Sequence, residues 1–60
     1  MERRFLGIKE LAEYMGIKKS TLYSWVHQKA IPHYKIGRLP KFDITEINTW
    51  IQGRKVKAEE

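Results

Sequence analysis

The sequence predicts a mainly α domain of three helices, with one small β-hairpin between the second and third. Three observations point to this. Apolar residues recur at i, i+3, i+4 spacing in three separate stretches, the mark of a helix with one buried face. Gly16, Pro32 and Gly53 interrupt those stretches near their ends. Residues 34–42 lose the helical period in favour of two short β-like runs around a glycine. Sixty residues leave room for one such core and no second. A chain this short usually leans on a disulfide, a metal, a partner or compact helix packing. With no cysteine, disulfides, thiolate zinc sites and Cys nucleophiles are excluded.

In the first helix Ile8, Leu11, Ala12 and Met15 line one face. Gly7 serves as N-cap, Glu10 can reach back to its N–H, and Leu6 has the spacing to staple onto Leu11. Gly16 follows as a left-handed C-cap. The second helix begins at Lys18 or Lys19, with Leu22, Trp25 and Val26 inward, so only a short glycine-containing turn separates it from the first. That is helix-turn-helix spacing. It ends near Gln28 to Ala30, since Pro32 cannot continue it and pushes Ile31 towards extended geometry.

Tyr34-Lys35-Ile36 and Lys41-Phe42 then read as a hairpin around a four-residue connection, Gly37 to Pro40, with Pro40 confining the second strand to an edge. The third helix has the clearest start: Asp43 as N-cap, Glu46 at N3, and Phe42 spaced to staple onto Ile47. Ile47, Trp50 and Ile51 face inward, and both tryptophans are expected in the core. The domain is expected to span residues 5–53, with 1–4 an N-terminal tail and 54–60 a flexible tail.

The net charge of +5 is unevenly spread. No acidic residue occurs between positions 14 and 42, a segment that holds Lys18, Lys19, Lys29, Lys35, Arg38 and Lys41. Such a surface attracts polyanions such as nucleic acid or an acidic membrane. No apolar run approaches the ~18 residues of a membrane span, and Met1-Glu2-Arg3-Arg4 is not followed by a secretory apolar segment. The expectation is a cytoplasmic protein with no membrane partner.

The order helix, glycine turn, helix, basic hairpin, helix resembles the winged helix-turn-helix of the excisionase and MerR-like group of small bacterial and phage DNA-binding proteins. The likeness rests on residues 8–17 (Ile8 to Ile17), Ser20-Thr21-Leu22-Tyr23-Ser24-Trp25-Val26, Ile31-Pro32, Tyr34-Lys35-Ile36-Gly37-Arg38, and Phe42 with Glu46-Ile47 and Trp50-Ile51. It implies a recognition helix in the major groove of double-stranded DNA and a wing on the backbone or minor groove. It also implies a role in transcription or in directing recombination, with an integrase or neighbouring copies on DNA as partners. Two departures stand out: Lys18 occupies the position where such proteins often carry a capping Ser, and the wing reads Arg38-Leu39-Pro40-Lys41 where more arginine and an aromatic are expected.

Two lysines at a helix N-terminus oppose the macrodipole at about 0.3 to 1 kcal/mol each. A phosphate docked there removes the conflict, because amides, dipole and both ammonium groups converge on one anion. The outward face of the second helix carries Lys19, Ser20, Tyr23, Ser24 and His27, suited to phosphate, sugar and base edges, while Thr21 serves packing or a phosphate. Without Arg or Asn on this face, bidentate base reading is scarce, Gln28 being one weak candidate, and specificity should be modest. Arg38 at the hairpin tip suits a narrow minor groove, with Lys35 and Lys41 beside it. His27 and His33 lack a third ligand for a metal, and His33 is expected to cap or pack beside Pro32.

No cofactor, small-molecule ligand or metal is expected. Catalysis is disfavoured, since Ser20, Ser24 and His27 share one solvated helix with no acidic orienter and no glycine-rich phosphate loop exists. The alternative to duplex DNA is a protein-interaction adaptor or an RNA binder. RNA is less favoured because no exposed aromatic platform is evident.

Overall fold

The structure, a computed structural model, describes residues 5–56 and 58. The proposed N-terminal tail, and residues 57, 59 and 60 of the proposed C-terminal one, lie outside the described residues. Six elements follow in order: β1 (Phe5–Leu6), α1 (Ile8–Met15), α2 (Lys19–His27), β2 (Tyr34–Ile36), β3 (Leu39–Asp43) and α3 (Ile44–Gln52). The strands form an antiparallel sheet in the order β1-β3-β2. Three helices with this small sheet make the winged helix-turn-helix architecture that the sequence predicts.

The caps of α1 and α3 follow from their residues. Glu10 Oε1 accepts from the Gly7 N–H at 3.2 Å, and Gly16 at φ +70° turns the chain into the left-handed region at the end of α1. Asp43, only 3% exposed, accepts from the Thr45 and Glu46 amides at 2.9 and 3.4 Å. The cap is worth roughly 0.5 to 2 kcal/mol. The core is a single cluster of Ile8, Leu11, Ala12, Leu22, Ile31, Phe42 and Ile47. Away from it, the Tyr14 hydroxyl donates to Asn48 Oδ1 at 2.7 Å and ties α1 to α3.

Four expectations need correction. The hairpin connection is two residues long, because Ile36 pairs with Leu39 and only Gly37 and Arg38 turn. Gly37 has φ +67° and Arg38 does not enter the positive region, which matches a type II′ turn with glycine first. β3 is the central strand, not an edge, since β1 pairs Phe5 with Asp43 and Leu6 with Phe42. Pro40 is tolerated there for a local reason. The pair closing a two-residue hairpin is hydrogen-bonded, so at the next pair, Lys35–Pro40, the missing N–H points away from β2, towards a side that β1 does not reach.

Trp25 and Trp50 are half-buried at the margin of the core, not inside it. Their rings lie 5.7 Å apart and tilted by 56°, each shielding the other. The last correction concerns aromatics. Phe5 and Tyr34 stand exposed on the outer face of the sheet, their rings 5.5 Å apart and edge to face. The sequence hid this pair because only the sheet register brings residue 5 next to residue 34. Past Gly53 the chain makes one further turn, with the Arg54 and Lys55 amides donating to Ile51 and Gln52. Among the described residues no helix is long and apolar enough to cross a membrane.

Candidate nucleic-acid interface

The start of α2 differs from the starts of its neighbours. Glu10 accepts from the Gly7 N–H just ahead of α1 and Asp43 caps the first amides of α3, whereas Lys18 takes the N-cap place of α2 with extended backbone (φ −75°, ψ 146°) and no side chain near its start accepts from it. Its first turn has no acidic residue, and Lys18, Lys19 and Ser20 are all exposed. Amide donors, the positive end of the dipole and two ammonium groups therefore point into solvent together. Thr21, one position on, is half-buried.

Further along α2, Tyr23, Ser24 and His27 are exposed, Tyr23 to 54%. Gln28 Nε2 donates to Ser24 Oγ at 2.9 Å, which fixes the amide against the helix one turn before it. Its carbonyl oxygen is left able to accept a further hydrogen bond.

A cleft of about 440 Å³ separates α2 from the hairpin, and Tyr23, His27, Lys29, His33, Lys35 and Pro40 are among the residues lining it. Two of these cations come from opposite walls. Lys35 and Pro40 are cross-strand partners and share the sheet face that looks towards α2. Lys41 is one residue on and so projects from the other face, with Tyr34 as its partner. It is half-buried, and its Nζ lies 3.6 Å from the place a Cβ on Gly7 would take, beside the start of α1. The expected site thus divides. Lys18, Lys19, Ser20, Tyr23, Ser24, His27 and Lys35 lie along α2 and its cleft, Arg38 stands exposed at the hairpin tip, and Lys41 turns away.

Lys29 and His33 are cleft residues that sequence reasoning left outside the site. Lys29 has φ +57°, a region that costs a non-glycine residue about 1 to 2 kcal/mol. Its amide donates to the Val26 carbonyl at 3.0 Å and closes the end of α2 in this conformation. Nothing in residue type signals it, because the left-handed region is normally glycine's or asparagine's. His33 does what was expected of it beside the Pro32 turn: its Nδ1 is 2.8 Å from the Ile31 carbonyl oxygen. A carbonyl only accepts, so Nδ1 carries the proton and Nε2 is the ring atom left for a ligand. Among the described residues no group of His, Asp or Glu is placed to hold a metal.

A family model described as a helix-turn-helix domain matches residues 5–55. No curated protein and no solved structure matches the chain.

Proposed function

Since the chain belongs to the helix-turn-helix domain family, we propose that it binds duplex DNA with α2 in the major groove and the β2–β3 wing over the adjacent minor groove or backbone. The observation that carries this is the uncapped, doubly cationic start of α2, continuous with an exposed hydroxyl-bearing face. A phosphate there satisfies free amides and offsets the dipole conflict of Lys18 and Lys19. Lys29 adds support, since strain in a ligand-facing residue is a common mark of a working site. Arg38, led out by the tight Gly37 turn, is the residue that reaches the phosphates bordering the minor groove.

On this proposal Lys18, Lys19, Tyr23, Lys29, Lys35 and Arg38 hold the backbone, while Ser20, Ser24, His27 and Gln28 lie nearest base edges. With so little bidentate chemistry, selectivity comes from groove shape and from several molecules or sites acting together. The biological role is excisionase-like direction of recombination or regulation of transcription, in the cytoplasm. It is a binding role, not an enzymatic one.

A titration of ¹⁵N-labelled protein with random-sequence duplex tests the proposal. Amides of residues 18–29 and 35–38 should shift in dilute buffer, and an unmoved spectrum rules it out. The Phe5–Tyr34 pair gives RNA or single strands more claim than the sequence did, because exposed aromatics on a sheet can stack bases. Competition decides: duplex DNA should outcompete a single strand of equal length. Footprinting on the flanking genomic DNA separates the two roles, an array beside an integrase gene favouring excision and promoter overlap favouring regulation.

A further inference from the structure

On the far side of α2 the last turns of the three helices meet around a groove of about 640 Å³. Met15, Trp25, Trp50 and Ile51 supply its apolar walls, and Arg54 and Lys55 stand at its rim. Neither indole is fully covered, and the Arg54 guanidinium lies 3.8 Å from the centre of the Trp50 ring. Tryptophan and arginine are the side chains that most often dominate protein interfaces. Trp25 is two residues from both Tyr23 and His27, about 200° round the helix, so the groove opens away from the face assigned to DNA.

We infer that this groove docks an acidic amphipathic helix of a partner protein, an apolar side chain between the indoles and an Asp or Glu on the Arg54–Lys55 rim. Charge selects this occupant. Among the described residues no acidic side chain lines the groove, and two full positive charges do. The helix ends around it contribute only partial negative charge, and Gly16 and Gly53 amides already occupy carbonyls at the ends of α1 and α3. Arg54, its guanidinium over Trp50, offers a planar fork to a carboxylate. A second copy of the chain fits worse, as it brings the same rim and a net charge of +5. Helix-in-groove binding of this kind needs no change at the DNA face, so a partner could be held on DNA while α2 stays engaged.

The test starts from a phage-displayed random peptide library selected against the 60-residue chain. Recovered peptides are then titrated while the indole N–H and backbone amide resonances are followed. Selection should recover peptides with an aromatic or aliphatic anchor next to Asp or Glu. They should shift both indole signals, bind equally well when random-sequence duplex is present, and lose about tenfold or more in affinity against Arg54→Glu/Lys55→Glu. Their Lys-substituted counterparts should bind that variant better than the parent. Both substituted side chains are exposed, so a melt should confirm an intact fold. The inference is overturned by a selection that yields nothing, by recovered peptides that are neutral or basic, or by indifference to charge reversal. Displacement of the peptide by duplex also overturns it, as does self-association of the chain through this groove in sedimentation. Because the readout uses other residues, failure of DNA binding leaves the result interpretable.

Discussion

Replacing Lys41 and Arg38 in turn separates a site built from charge alone from one built by the fold. Five cations occupy the proposed face: Lys18 and Lys19 at the start of α2, Lys29 and Lys35 in the cleft, and Arg38 at the tip. If each neutralises one phosphate, log affinity falls against log salt with a slope near −4.5, at about 0.9 per contact on duplex DNA. Between about 50 and 200 mM salt that is a loss of roughly 500-fold. Arg38→Ala should flatten the slope to about −3.6 and the loss to roughly 150-fold, weakening all sequences alike. Lys41→Ala should leave the slope where it was, because that ammonium lies beside Gly7 on the opposite sheet face. Fluorescence anisotropy with a labelled random-sequence duplex over a salt series measures all three. A slope near zero, or equal flattening by both substitutions, would refute the assignment. Arg38 is exposed at a turn, so its variant should melt with the parent and any loss is one of contact.

Three further outcomes are expected. Asp43→Ala should lower stability by about 1 to 3 kcal/mol in urea unfolding, from the lost cap and the lost charge at the start of α3. Asp43→Asn keeps an accepting oxygen and should lose well under half of that; equal losses would mean the cap oxygen is not what matters. Lys29→Gly should raise the melting temperature, since relief of about 1 to 2 kcal/mol of left-handed strain outweighs the ~0.5 to 1 kcal/mol entropic cost of glycine. The same variant should bind DNA less well, and a drop in stability would discount strain at this position. Trp50→Ala should cost roughly 2 to 4 kcal/mol, less than a fully buried tryptophan, because part of the side chain is already in solvent. Denaturation read by circular dichroism checks this against a total of roughly 3 to 9 kcal/mol for a chain of this length.

The elements that local chemistry specifies were legible in the sequence. Gly7 with Glu10 and Asp43 with Glu46 mark helix starts within one residue, and Gly16 marks an end, because capping depends on neighbours three or four positions apart. Gly37 announced a turn, but its length was misjudged: Pro40 looked like a loop residue until the register showed its nitrogen facing an uncovered side. β1 left no trace. A two-residue strand has no period, and its partners lie 36 or more positions away. The exposed side of α2 was readable from helical spacing alone. The separation of Lys35 from Lys41, the cleft setting of Lys29, and the groove between the tryptophans depend on how elements pack, which no local pattern encodes.

The pairing of Phe5 and Leu6 with β3 has a mechanical consequence. β3 leads from the wing into α3 while being strapped, at its far end, to the residues that lead into α1. The wing is therefore a cantilever clamped at the root by residues from both ends of the domain, and free of β1 from Lys41 outwards, since β1 stops opposite Phe42. A load attached ahead of Phe5 pulls on β3 through that pairing, and a load beyond α3 pulls on it through the chain that joins the two.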